Sequence, residues 1–252
     1  MKNLLLALFT LTLFSAHAQD NLTTYHKQAI ADFISHIKKN DKEALAKKIT
    51  YPFKRQYPLP SIKNKAEFLK RYAEVFDSKL ISLISKSDPG HDWYAGGYRG
   101  IMFMNGQLWL EYDGSLIAVN YQTKAEADKR AALIAKEKKG LHASVRGFSE
   151  PVCILLTAKY RIRIDMTAHG TYRYAAWKQS AKMSTRPDLV INGGQYVPDG
   201  SGGNHHYTFK NNIYTYECGI TPLGEDNSAP AYLTVYKNDA EIVHQPATIA
   251  AP

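Results

Sequence analysis

Residues 98–121 read YRGIMFMNGQLWLEYDGSLIAVNY, and this stretch decides the fold class. Apolar and polar residues alternate in three short runs, Tyr98–Met104, Gln107–Tyr112 and Ser115–Tyr121, separated by Asn105-Gly106 and Asp113-Gly114. Those dipeptides suit type I′ turns, whose central residues take positive φ and whose twist matches the flanking strands. An antiparallel meander is therefore expected. N-terminal to it the period is helical: Tyr25, Ala29, Ile30, Phe33, Ile34 and Ile37 put one apolar face on a helix from about Thr24 to Lys39. Asp41 is placed to cap a short helix through Ile49, ended by Pro52. Asn64 with Glu67 three residues on resembles a capping box for a third helix carrying Phe68, Leu69, Tyr72, Val75 and Phe76. Leu80, Ile81 and Ile84 continue the helical pattern after a break near Asp77 and Ser78.

C-terminal to the meander, a helix is expected from about Thr123 to Lys139, with Ala127, Ala131, Leu133 and Ile134 inward and Gly140 as its C-cap. The remainder reads as strands: Leu141–Phe148, Val152–Ala158, Tyr160–Met166, Thr171–Lys178, Leu189–Val197, His206–Lys210, Ile213–Cys218, Ala231–Tyr236 and Glu241–His244. Such a series forms a small sandwich, a partial barrel or an extension of the first sheet. The fold class is α+β: helices packed on a curved antiparallel meander in residues 19–140, then a β-rich half in residues 141–252. No flexible linker marks the boundary near residue 140, and no internal repeat is present.

The 252-residue chain is 44% hydrophobic and 22% charged, which excludes a disordered, collagen-like or coiled-coil protein. Met1-Lys2-Asn3, the apolar run Leu4–Phe14 and Ala16-His17-Ala18 have the three parts of a secretory signal peptide, residues 1–18, with cleavage expected before Gln19. No later stretch approaches the ~18 apolar residues of a membrane span. The expected location is secreted, in the periplasm. Losing residues 1–18 removes a single positive charge, Lys2, from a net charge of +9. A basic exported chain favours an anionic envelope ligand or a protein partner, and excludes nucleic acid by compartment and by the lack of a recognisable module. Cys153 and Cys218 form an even pair in an exported chain, so a disulfide is expected, closing a loop of about 65 residues worth roughly 4 kcal/mol.

Helices leading into a curved meander, with Tyr51-Pro52 and the Gly96–Tyr121 run, resemble the cone-shaped NTF2-like family, which includes ketosteroid-isomerase-like and SnoaL-like proteins. The resemblance covers roughly residues 20–122. It implies helices folded over a bent sheet around a cavity, used in some members as an active site and in others only for binding. The 123–139 helix and the strand-rich half lie outside that pattern.

Several residue groups are candidates for function. His91, Asp92, Trp93, Tyr94 and Arg99 stand in a Gly-rich entry to the meander, where a carboxylate beside a histidine can orient it and glycines admit a ligand. The alternative is a bulged strand with Trp93 as a core plug and Arg99 paired to Glu111 or Asp113. Alternation in Gln107–Asp113 puts Trp109, Glu111 and Asp113 on one face, which makes Glu111 the best candidate base, with Asp92 as the other and His91 or Tyr112 as partner. Gly200–His206 supplies Asn204, His205 and His206 for a ligand or partner contact. It lacks a P-loop ending, and adjacent histidines on a strand point apart, so neither a phosphate cradle nor a metal site is expected. Lys159, Arg161, Arg163 and Asp165 alternate with Tyr160, Ile162 and Ile164. Their face, enlarged by Arg146, Arg173 and Lys178, either binds an anionic group or is simply solvated. Tyr172, Tyr174, Trp177, Tyr207, Tyr214 and Tyr216 concentrate aromatic surface in the same half. No nucleophile elbow occurs and neither cysteine precedes a helix, so nucleophilic hydrolysis is unsupported. The reading is a non-enzymatic binding protein without cofactor. The alternatives are an NTF2-like cavity enzyme with a buried carboxylate base, and an inhibitor or immunity-type partner of a secreted enzyme.

Overall fold

The computed structural model describes residues 22–200 and 202–250. The expected signal peptide lies outside the described residues, as does Ser201. The helices and first strands are α1 Thr24–Lys38, α2 Lys42–Lys47, α3 Lys65–Val75, α4 Ser78–Lys86, β1 Trp93–Ala95, β2 Ile101–Phe103, β3 Leu108–Leu110, β4 Leu116–Val119 and α5 Lys124–Gly140. Eight longer strands follow: β5 Glu150–Leu156, β6 Tyr160–Met166, β7 Tyr172–Lys178, β8 Leu189–Pro198, β9 His205–Asn211, β10 Tyr214–Ile220, β11 Ala231–Lys237 and β12 Ala240–Ile249. No helix among the described residues is long and apolar enough to cross a membrane.

The chain divides into two compact units, and not at residue 140. One holds the described residues up to Thr50 together with Ser78–Val119; the other holds Tyr51–Asp77 together with everything after Val119. In the first unit the three expected runs form an antiparallel meander, β2-β3-β4, and Trp93–Ala95 adds a fourth strand, β1, not among the expected runs, beside β2. Asn105 and Gly106 take φ of 53° and 84°, as a type I′ turn requires. At Asp113-Gly114 only the glycine is left-handed, with φ 84°, and Glu111 N donates to Ser115 O across a wider turn. Trp93, Ile101, Phe103, Leu108, Leu110, Leu116 and Val119 are buried with the apolar faces of α1 and α4. Trp93 stacks on Phe103 at 4.6 Å, meets Phe33 edge-on at 6.0 Å and donates Nε1–H to Ser87 Oγ.

In the second unit, β5 to β12 close into an eight-stranded antiparallel barrel in which each strand pairs with its sequence neighbour and β12 returns to β5. Seven of the eight junctions are joined by turns; the eighth is a seam of two register pairs, Thr248↔Leu156 and Ile249↔Leu155, extended by Ala250 N donating to Ile154 O. The two-residue period sends Leu155, Ile162, Ile164, Tyr174, Phe209 and Leu233 inward. Eight strands enclose a space that side chains fill or that holds one small ligand. At its waist the Phe209 ring occupies the room left by Gly194, where an added Cβ would lie 2.2 Å from the ring.

Two expectations about this half are corrected. Leu141–Phe148 is not a strand: Leu141, Val145 and Phe148 recur at helical spacing and pack on Ala175 and Trp177 outside the barrel. The expected Cys153–Cys218 disulfide is not formed; both are free, buried thiols. Their strands, β5 and β10, are separated around the barrel by β11 and β12, too far apart for the short Cα separation a disulfide needs.

α5 is held by charge rather than by an apolar stripe. Its buried residues are Glu126 and Arg130, whereas Ala131, expected inward, is exposed. Arg55 clasps Glu126 with both Nε and Nη2. Lys129 meets Glu74 at 2.9 Å, and Thr123 Oγ1 donates to Glu74 O. These pairs tie residues 51–77 to α5, and Arg130–Glu150 and Glu137–Arg163 tie α5 to the barrel strands.

Candidate ligand-binding site

The barrel is open at the end formed by the β5–β6, β7–β8, β9–β10 and β11–β12 connections. A cavity of about 260 Å³ enters there, lined by Tyr160, Tyr174, Tyr214, Tyr216, Leu233 and Val243 among others. The sequence builds it by parity: Tyr214 and Tyr216 on β10, like Tyr172 and Tyr174 on β7, are two apart and so share the inner face. Tyr174 is 2% exposed, with its ring 5.5 Å from Phe209 and from Tyr216, and it lines the cavity. Burial pushes the Tyr174 and Tyr216 phenols up from their ordinary value, with neighbouring groups adding to the rise, so both remain O–H donors at neutral pH. Asp188, a carboxylate among the lining residues, accepts from Lys178 N at 3.0 Å. The arrangement offers apolar walls and phenolic donors. That chemistry suits an uncharged body carrying an acceptor oxygen and disfavours a charge, which would be desolvated without a partner.

Beneath the cavity, burial pushes the Cys153 thiol up to about 12 and the Cys218 thiol well above its usual range. Both are protonated and unreactive at neutral pH. Among the described residues no group of three or more His, Cys, Asp or Glu side chains is placed to hold a metal ion.

The candidates named from sequence are dispersed. His91 and Asp92 lie in an exposed turn, where His91 Nδ1 meets Asp88 Oδ1 at 2.9 Å and Asp92 Oδ2 accepts from Asp88 N. Glu111 is exposed beyond the end of β3, and Tyr112 donates its hydroxyl to Gly97 O while its ring lies 4.6 Å from His26. Trp93 is the core plug described above. Tyr94 is exposed, and Arg99 lies over the rings of Tyr98 and Trp109 at 5.9 and 5.8 Å rather than against Glu111 or Asp113. In the 199–206 segment, Asn204 makes two hydrogen bonds to the Leu223 backbone, His205 packs on Tyr196 and Tyr207, and His206 pairs with Asp199.

The basic strand face is divided: Lys159, Lys178 and Arg146 are exposed, whereas Arg163 and Arg173 at its centre are buried. Arg163 is 1% exposed: it pairs with Asp165 and with Glu137 of α5, and its guanidinium lies 4.8 Å over the Phe148 ring. Burial alone would depress its basicity; the Asp165 and Glu137 carboxylates outweigh that and hold it above its ordinary value. Arg173 donates to Asp165 and to the carbonyls of Val145 and Gly147, and Arg161 to Ala181 O. Arg163 and Arg173 are neutralised within the unit by Asp165 and Glu137, beneath α5 and the 141–148 segment.

Comparison with protein-family models, with curated proteins and with solved structures returns no match.

Proposed function

We propose that the chain is an exported, non-enzymatic binding protein whose barrel mouth takes one small uncharged ligand. The observation that carries this is the tyrosine-lined cavity of about 260 Å³ at the barrel mouth. It exceeds the ~150 Å³ apolar cavity that admits benzene, which points to a ligand somewhat larger than one aromatic ring. Export enters the proposal through residues 1–18, and N-terminal sequencing of the secreted chain, expected to begin at Gln19, tests it. The NTF2-like resemblance of residues 20–122 enters only through the order of helices and meander. The Trp93 ring packs between Phe33 and Phe103, and the candidate carboxylates are exposed, so the binding role is assigned to the barrel.

The test is a titration of the purified chain with p-cresol, indole and camphor, read by tyrosine fluorescence and by the rise in melting temperature. Val243→Phe narrows the mouth and should abolish binding. Tyr216→Phe, which removes one donor, should weaken an oxygen-bearing ligand by roughly 5- to 10-fold. No binding by any of the three, or binding that Val243→Phe leaves intact, overturns the proposal.

A further inference from the structure

The opposite end of the barrel carries a second recess, of about 290 Å³, that differs from the mouth in chemistry. Its walls include Gln56, Arg130, Glu150, Met166, Tyr172 and Tyr207. Tyr172 and Tyr207 meet edge-to-face at 4.8 Å and give an aromatic wall. Arg130 is 8% exposed and its guanidinium is only partly used: Nε donates to Tyr57 O at 2.8 Å and Nη2 to Glu150 Oε2 at 2.5 Å. Among the described residues, Arg130 Nη1 and the second oxygen of Glu150 have no partner. The Nη1 amino group and one carboxylate oxygen, held beside each other by the ion pair, thus face the recess without a protein partner. Gln56 adds donors, because its Oε1 accepts from Gln122 and its own amide N–H groups remain.

Charge selects among ligands. Arg130 and Glu150 cancel, so a net charge of either sign would meet a like charge within the same pair, whereas a neutral group can use both. Arg130 Nη1 and the outer Glu150 oxygen open onto the recess, where a ligand must match the hydrogen bonds that water makes to them, and a neutral group with one acceptor and one donor does so. We propose that this recess is a second binding site, for a neutral ligand bearing a secondary amide: the carbonyl oxygen accepts from Arg130 Nη1 and Gln56, the N–H donates to Glu150, and the attached ring or chain packs on Tyr172, Tyr207 and Met166. An acetamido sugar and a short peptide both present that group.

The site is tested with N-acetylglucosamine, with N-acetylalanine methylamide and with glucose as the control lacking an amide. The readout is the NMR spectrum of isotope-labelled methionine methyl groups, in which Met166 reports from the recess and Met183 from elsewhere on the same unit. A shift of Met166 with a Kd on the order of 1 mM is expected for a ligand of this size. Binding of the sugar alone assigns an acetamido source, and binding of the peptide alone a peptide source. Gln56→Leu, at an exposed position where the fold tolerates change, should weaken binding about 5-fold or more, and Arg130→Met should abolish it. Val243→Phe, at the other mouth, should leave it unchanged, which separates this site from the first. Glucose binding as well as N-acetylglucosamine, absence of any Met166 shift, or affinity indifferent to both recess variants overturns the proposal.

Discussion

Asp165→Asn probes the buried ionic layer outside the barrel most directly. The Asp165 carboxylate is 0% exposed and joins two strands, with Oδ1 2.8 Å from Arg163 Nε and Oδ2 2.7 Å from Arg173 Nη2. Asparagine keeps the shape and one acceptor but removes the charge, leaving two buried guanidinium groups short of an anion. Breaking a buried pair by removing one partner costs about 3–5 kcal/mol. Arg163 retains Glu137 and the Phe148 ring, and Arg173 retains two carbonyls, so the cost falls near the lower end, about 3 kcal/mol. That corresponds to roughly a 150-fold shift in the opening equilibrium of this region. Hydrogen exchange of peptides spanning residues 160–178 reads that equilibrium locally and avoids assuming that the two units unfold together. Replacing the whole triad, Arg163→Met with Asp165→Leu and Arg173→Met, should recover stability to within about 1 kcal/mol of the original, since desolvation is relieved along with attraction. A loss below about 1 kcal/mol for Asp165→Asn would refute the electrostatic reading, because it would mean that the arginines are solvated or satisfied elsewhere.

Three further outcomes follow from the geometry. Gly194→Ala places a methyl group 2.2 Å from the Phe209 ring and should cost about 1–3 kcal/mol, and Phe209→Leu should recover part of it in a double-mutant cycle; additive losses would contradict the packing. Glu74 titrates below its ordinary value: burial raises it, but hydrogen bonds from Lys129 and Arg71 outweigh that. A carboxylate lowered on folding stabilises above its unfolded pKa of about 4.3 and loses that contribution as pH falls through the lower folded value. Melting temperature should therefore fall with acidification below about pH 4, and Glu74→Gln should flatten that limb; an unchanged acid limb would argue against it. Cys153 and Cys218, buried and protonated, should react with a thiol-specific disulfide reagent only as fast as the barrel opens, and stoichiometric reaction within seconds in the native state would be inconsistent with their burial.

The strands of the barrel were legible because alternation is a local signal: from Tyr160–Met166 onward the expected segments overlap the observed ones, with β12 running on to Ile249. Closure was not legible. It depends on a seam between the first and last strands, made by two register pairs almost a hundred residues apart, and no local period encodes such a pairing. The division into units was hidden for a similar reason. α5 follows the meander in sequence, but Glu126, Lys129 and Arg130 commit it to Arg55, Glu74 and Glu150, and single charged residues on a helix do not announce their partners.

The reading of the strand arginines shows where alternation stops being informative. Tyr160, Ile162 and Ile164 facing one way and Arg161, Arg163 and Asp165 the other describes equally a solvated sheet face and a covered ionic layer. What distinguishes them is whether enough carboxylate and apolar surface is available to lie on top. Asp165 was in the strand itself, directly opposite Arg173 in the β6–β7 register, and Phe148 stood just upstream in a segment whose apolar residues recur at helical rather than strand spacing. Read together, those two features indicate a lid over a neutralised face. The tyrosines are the complementary case. Their abundance in the second half was visible, but an aromatic surplus means surface stacking on an open sheet and a ligand-lined interior in a closed barrel. The placement of Tyr174 and Tyr216 therefore carries functional weight only once β12 is known to meet β5.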